Sequence, residues 1–113
     1  MNNKNVFLRL FAEEPSEEAA HNVADRILDL LKGHALHLDI QVKKYWKIPE
    51  YYEIFFRLSP LTGSSDIISE IASILGKGWE KQQASLESIW NPGPESSFKI
   101  NSVRWAHIEI VEQ

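Results

Sequence analysis

The side chains best suited to chemistry in this sequence are its histidines and the carboxylates beside them. Four histidines occur, His21, His34, His37 and His107, and two have an acidic residue two positions on: His37 with Asp39, and His107 with Glu109. Residues i and i+2 of a β-strand share a face. Each pair therefore sets an imidazole next to a carboxylate, and both groups are ordinary ligands of divalent metals. The spacing is not a recognised ligand signature, and strand pairs of this kind arise often by chance. No metal or other cofactor is expected. The absence of cysteine excludes disulfides, zinc-thiolate sites and thiol nucleophiles. No Gly-x-Ser-x-Gly elbow occurs, and no pattern puts two carboxylates in an apolar pocket. Gly76-Lys77-Gly78 follows a helix-like stretch instead of preceding one and lacks the spacing that cradles phosphate. The chain reads as a protein without catalytic chemistry.

Aromatic residues carry a different signal. Four tryptophans, Trp46, Trp79, Trp90 and Trp105, are many for 113 residues. Most tryptophans fill cores and their margins, yet tryptophan and tyrosine are also enriched at binding hot spots. Tyr45, Tyr51 and Phe55 are stronger binding candidates because of where a hairpin puts them.

That hairpin is Ala35 to Pro60, two strands meeting around Lys47-Ile48-Pro49-Glu50. In the first strand Leu36, Leu38, Ile40, Val42 and Trp46 share a parity broken by Lys44. In the second, Tyr52, Ile54, Phe56 and Leu58 alternate with Glu53, Phe55, Arg57 and Ser59. Directly opposed residues of an antiparallel pair share a face, so the two apolar sets must oppose each other. One register that satisfies this sets Trp46 against Tyr52, Lys44 against Ile54, Val42 against Phe56 and Ile40 against Leu58. It leaves a second face of Asp39, Gln41, Lys43, Tyr45, Glu53, Phe55 and Arg57, mixing charge with aromatics.

The remaining elements must support this hairpin. Asn5–Ala12 reads as a strand with apolar residues on both parities, which suggests a central position with little exposure. Ser16 caps a helix over Ser16–Lys32, with first-turn glutamates suited to the helix dipole and Gly33 as its stop. A turn over Leu61–Ser65, ending in a serine cap, opens a second amphipathic helix over Ser65–Leu75. Ala84, Leu86 and Trp90 share a parity within Trp79–Trp90, which favours a partly exposed strand there. Asn91–Ser97 is a loop by composition. The closing strand, starting near Ser102, puts Arg104, Ala106, Ile108 and Ile110 on one face and Val103, Trp105, His107, Glu109 and Val111 on the other. This order predicts a single α+β domain over 1–113: a ferredoxin-like β-α-β-β-α-β antiparallel sheet with an extra C-terminal strand and both helices on one face. The opposite face must be solvated, dimerised or used for binding.

A net charge of −4 argues against a nucleic-acid backbone binder, which needs a concentrated basic stripe. The opening MNNKNVFLRLF lacks the apolar core of a signal peptide, and no apolar run approaches a membrane span. A cytoplasmic protein with no membrane or nucleic-acid partner is the expectation.

The closing half also carries a resemblance. Trp79 after the second helix, then Glu87-Ser88-Ile89-Trp90-Asn91-Pro92, then Val103-Arg104-Trp105-Ala106-His107-Ile108-Glu109, resembles small immunity proteins of bacterial polymorphic toxin systems, of which contact-dependent growth inhibition is the best known. The resemblance covers roughly the last third of the chain and lies in texture: a short acidic domain, many tryptophans and an aromatic-rich final strand. It implies a cytoplasmic protein that binds a cognate toxin domain and blocks its active site or substrate access. It brings no catalytic residues. Joined to the hairpin parity, it predicts a basic toxin domain contacting Asp39, Tyr45, Glu50, Tyr51, Glu53 and Phe55. A homodimer burying Tyr45 and Phe55 is the rival use of that face. Two other readings stay open: a small dimeric cofactor-independent monooxygenase, needing a polar trio in a cavity between sheet and helices, and a ligand-binding regulatory module.

Overall fold

A computed structural model describes residues 4–63, 65–82 and 86–112. Its elements run β1 (Lys4–Glu13), α1 (Glu17–Leu31), β2 (Ala35–Lys44), β3 (Tyr51–Pro60), α2 (Ile67–Leu75), β4 (Gly76–Lys77), β5 (Glu80–Gln82), β6 (Glu87–Trp90), β7 (Ser97–Phe98) and β8 (Val103–Glu112). One six-stranded sheet has the order β2-β3-β1-β8-β6-β5, with every neighbouring pair antiparallel, and β4 pairs with β7 in a separate ribbon. No helix among the described residues is long and apolar enough to cross a membrane.

The alternation of side chains across a pleated strand builds the core. Val6, Leu8, Leu10 and Ala12 of β1 are buried with Tyr52, Ile54, Phe56 and Leu58 of β3 and Ala106 and Ile108 of β8. Ala20, Val23, Ala24, Ile27 and Leu31 of α1 close over them, as do Ile67, Ile68, Ile71, Ala72 and Leu75 of α2. Helix α1 packs on β2 and β3, α2 on β6 and β8, and the helices touch each other. Phe7, Arg9 and Phe11 of β1 and the odd-numbered residues of β3 point the other way and stay partly exposed. The centre of the sheet is thus covered on one face only, although the apolar residues on both parities of β1 suggest a strand covered on both.

Helix boundaries follow their caps. The Ser16 side chain accepts from the Ala19 N–H, and Gly33 past the end of α1 takes a positive φ of 88°, which a glycine adopts without steric cost. The second helix starts later than its serine-rich approach suggests. Asp66 is its N-cap, accepting from the Ser69 N–H at 3.0 Å and the Ser69 hydroxyl at 2.8 Å, because a carboxylate offers two acceptors where a serine offers one. Ser64, within the expected turn, lies outside the described residues.

The hairpin keeps the expected parity from Asp39 to Lys44 but not the expected register. Ile40 opposes Phe56, Val42 opposes Ile54 and Lys44 opposes Tyr52, two residues away from the pairing read off the sequence. The chain leaves the ladder after Tyr45, whose N–H donates to the Tyr51 carbonyl at 2.9 Å, and Trp46 hangs out 80 % exposed. A register slip between His37 and Asp39 inserts one residue on β2. Such a bulge turns the preceding residues to the opposite faces. Leu36 and Leu38, expected in the core, are therefore exposed on an edge strand.

The largest departure is after α2. Trp79–Trp90 is not one strand but the short hairpin β5–β6, at the sheet margin beyond β8. Ala84, part of the expected alternation, lies outside the described residues. The additional strands precede the final strand instead of following it, and the ten-residue β8 pairs along the length of β1. Trp90 is buried, donates from its indole to the Lys77 carbonyl at 2.8 Å, and meets Phe98 edge-on with ring centroids 5.1 Å apart. Gly76 sits where an added Cβ would fall 2.3 Å from the Ser97 carbonyl oxygen, so β4 and β7 approach too closely there for any side chain.

Two outcomes test these assignments. Phe56→Ala should cost about 3 to 5 kcal/mol of stability in urea unfolding, as expected for emptying a filled aromatic site, whereas Trp46→Ala should stay within about 0.5 kcal/mol. Asp66 has its pKa lowered from the ordinary 3.8, chiefly by the Ser69 backbone N–H, then by the Ser69 hydroxyl and Lys81. A carboxyl whose folded pKa is depressed stabilises above its unfolded value and loses that contribution as pH falls through the folded one. Asp66→Ala should cost about 1 kcal/mol at neutral pH, and its difference from the natural chain should shrink as the pH of unfolding measurements drops below about 4.

Candidate functional site

The uncovered face is assembled from five strands. Phe7, Arg9 and Phe11 of β1 oppose Arg57, Phe55 and Glu53 of β3, and on the other side Glu109, His107 and Trp105 of β8. Beyond β3 lie Asp39, Gln41 and Lys43 of β2, and beyond β8 lies Glu87 of β6.

An aromatic strip crosses this face obliquely. Ring centroids step 6.4 Å from Trp46 to Tyr45, 4.3 Å to Phe11, 5.1 Å to Trp105 and 5.9 Å to His107, whose imidazole stacks on the indole at 17°. Phe7 and Phe55 make a second patch, edge to face at 5.2 Å. Arg9 lies between the two, its guanidinium 5.1 Å from the Phe11 ring centre and 5.6 Å from that of Trp105. A cation over an aromatic face is attracted by the ring quadrupole. The Arg9 guanidinium also donates to Glu53, which Lys43 approaches at 3.5 Å. Arg9, Gln41, Lys43, Glu53 and Phe55 line a shallow depression of about 240 Å³.

The six residues expected to contact a partner fall into three groups. Tyr45, Tyr51 and Phe55 are on the open face side and half-buried among their neighbours. Asp39 opposes Arg57 and accepts from the Gln41 amide at 3.2 Å, and the Glu53 side chain is only 13 % exposed beneath Arg9 and Lys43, so the charge of Glu53 is neutralised within the sheet. Glu50 is exposed in the hairpin loop and lines a separate groove of about 430 Å³ with Glu13, Glu14, Pro15, Lys44, Pro49 and Tyr52.

The histidine pairs part company. The bulge in β2 gives His37 the parity of the helix-covered face and Asp39 that of the open one, so this pair cannot chelate. His107 and Glu109 stay together and acquire Glu87 from across β6, a residue that sequence spacing does not connect to them. His34 instead ties the end of α1 to α2, with Nδ1 2.7 Å from a Glu70 carboxylate oxygen that Thr62 also reaches. Sequence reasoning missed Phe11 and Trp105 as parts of the candidate face. Their parity was legible, but their adjacency needs the pairing of β1 with β8.

Comparison with protein-family models, with curated proteins and with solved structures finds no match.

The Arg9–Glu53 contact is the electrostatic centre of this face, and its removal is measurable. Glu53→Ala should lower stability in chemical denaturation by about 1.5 kcal/mol, the low end for a hydrogen bond to a charged group because Arg9 remains partly in water.

Proposed function

We propose that this chain is a ferredoxin-like binding protein of the immunity type, which docks a cognate toxin domain on the open sheet face and blocks its active site or substrate access. The observation that carries the reading is the uncovered face itself: two aromatic patches flanking Arg9, on strands held rigidly by a core on the opposite side. Rigid aromatic anchors give contact area at little entropic cost, the property that concentrates binding energy in hot spots. The sequence β1-α1-β2-β3-α2-β8 supports the ferredoxin-like description, with β4–β7 as an insertion before the last strand. Glu50, exposed at the hairpin end, is placed to steer a basic partner. A monooxygenase would need a polar trio between sheet and helices. The buried polar residues among those described are Asn5 and Ser88, and the Ser88 hydroxyl already donates to the Glu80 carbonyl.

The test is co-expression with a toxin domain encoded in the adjacent reading frame, followed by calorimetry on the purified pair. The natural chain should restore growth and bind one to one. Phe55→Ala or Tyr45→Ala should weaken binding by about 2 kcal/mol, while Glu50→Lys should mainly slow association and alter its salt dependence. Circular dichroism and size-exclusion chromatography identify the rival homodimer. Loss of folding or of a dimer in Tyr45→Ala and Phe55→Ala, with no toxin-binding defect in the folded fraction, sinks the interface.

A further inference from the structure

At the β6 margin of the open face, Glu87, His107 and Glu109 converge so that one ligand atom from each lies within 4.8 Å of the other two. The strand register makes this convergence. Glu87 and Glu109 are directly opposed partners of β6 and β8, and His107 is two residues before Glu109 on the same face. His107 Nε2 lies 3.7 Å from a Glu87 oxygen, too long for a hydrogen bond, and the stacking of its ring on Trp105 holds the imidazole in that direction. Like charges set directly opposite each other destabilise a strand pair. Among the described residues, no lysine or arginine pairs with either carboxylate.

We propose that these three side chains bind a divalent transition cation. Bonds of about 2.0 to 2.2 Å from imidazole nitrogen and carboxylate oxygen place neighbouring ligand atoms roughly 3 to 4 Å apart, so small rotations of the two glutamates bring this set to coordination distance. The imidazole favours zinc, copper or nickel over magnesium and calcium, which prefer oxygen shells. Three protein ligands leave a coordination position open toward solvent, as in sites that accept water or an incoming donor. The cation would neutralise the opposed carboxylates and clip the short β6 strand to β8. Sequence spacing alone argues against a metal here because it shows only the His107–Glu109 pair; β6 supplies the third donor.

The proposal is tested on the isolated chain, without any partner, so its result is independent of the docking reading. Zinc chloride titrated calorimetrically at neutral pH should bind one ion per chain and raise the unfolding temperature, with magnesium giving neither effect. His107→Ala, Glu87→Gln and Glu109→Gln should each weaken zinc by at least about tenfold, since even outer-shell changes cost 10- to 100-fold. His21→Ala and His37→Ala should leave it unchanged. The glutamines conserve size and decide the matter if His107→Ala fails to fold. Absence of zinc binding, binding that survives the glutamine substitutions, or equal loss in His37→Ala would each overturn the site.

Discussion

The structure depends on β1 being paired on both edges while its side chains alternate between a sealed face and an open one. Hydrogen bonds to β3 and β8 satisfy its backbone, and Val6, Leu8, Leu10 and Ala12 commit one face to the helices. Once that face is buried, a one-residue slip would put Phe7, Arg9 and Phe11 into the core and the aliphatics into water. The open face is therefore held in place by the core behind it.

An open face rich in aromatics invites nonspecific association unless charge is distributed through it. Arg9 serves that purpose here, ringed by Phe11 and Trp105 and anchored by Glu53. Because Glu53 lies beneath Arg9 and Lys43, it acts within the sheet more than toward a partner. Glu50, in the hairpin loop, stays exposed at one end of the face.

Two register slips shape what surrounds this face. The one in β2 sends Leu36 and Leu38 to solvent and separates His37 from Asp39. The one between Phe11 and Ala12, opposite β8, brings Val103 into the core and lets Arg104 reach Glu13 at 3.1 Å. Both leave local composition unchanged, so a parity count along either strand reads straight through them. The β2 slip also fits an edge strand, where bulges and lysines such as Lys43 and Lys44 discourage further pairing.

The amino-acid sequence by itself determined the elements whose signal is local. The Ser16 cap of the first helix, the apolar stripes of both helices, the alternation of β3 and the even parity between Ile40 and Lys44 all follow from signals that hold within a few residues. The strand periodicities among them showed that one face of the sheet would carry Tyr45, Glu53 and Phe55 together. Tertiary structure decided which strands are neighbours, where the ladders slip and how far a charged group is submerged. The placement of β8 beside β1 joins Phe11 to Trp105, and the pairing of β6 with β8 sets Glu87 against Glu109; no spacing along the chain encodes either meeting. Such contacts depend on closing loops between distant residues, and what selects them is the burial of a shared face, which exists only when the whole sheet is assembled.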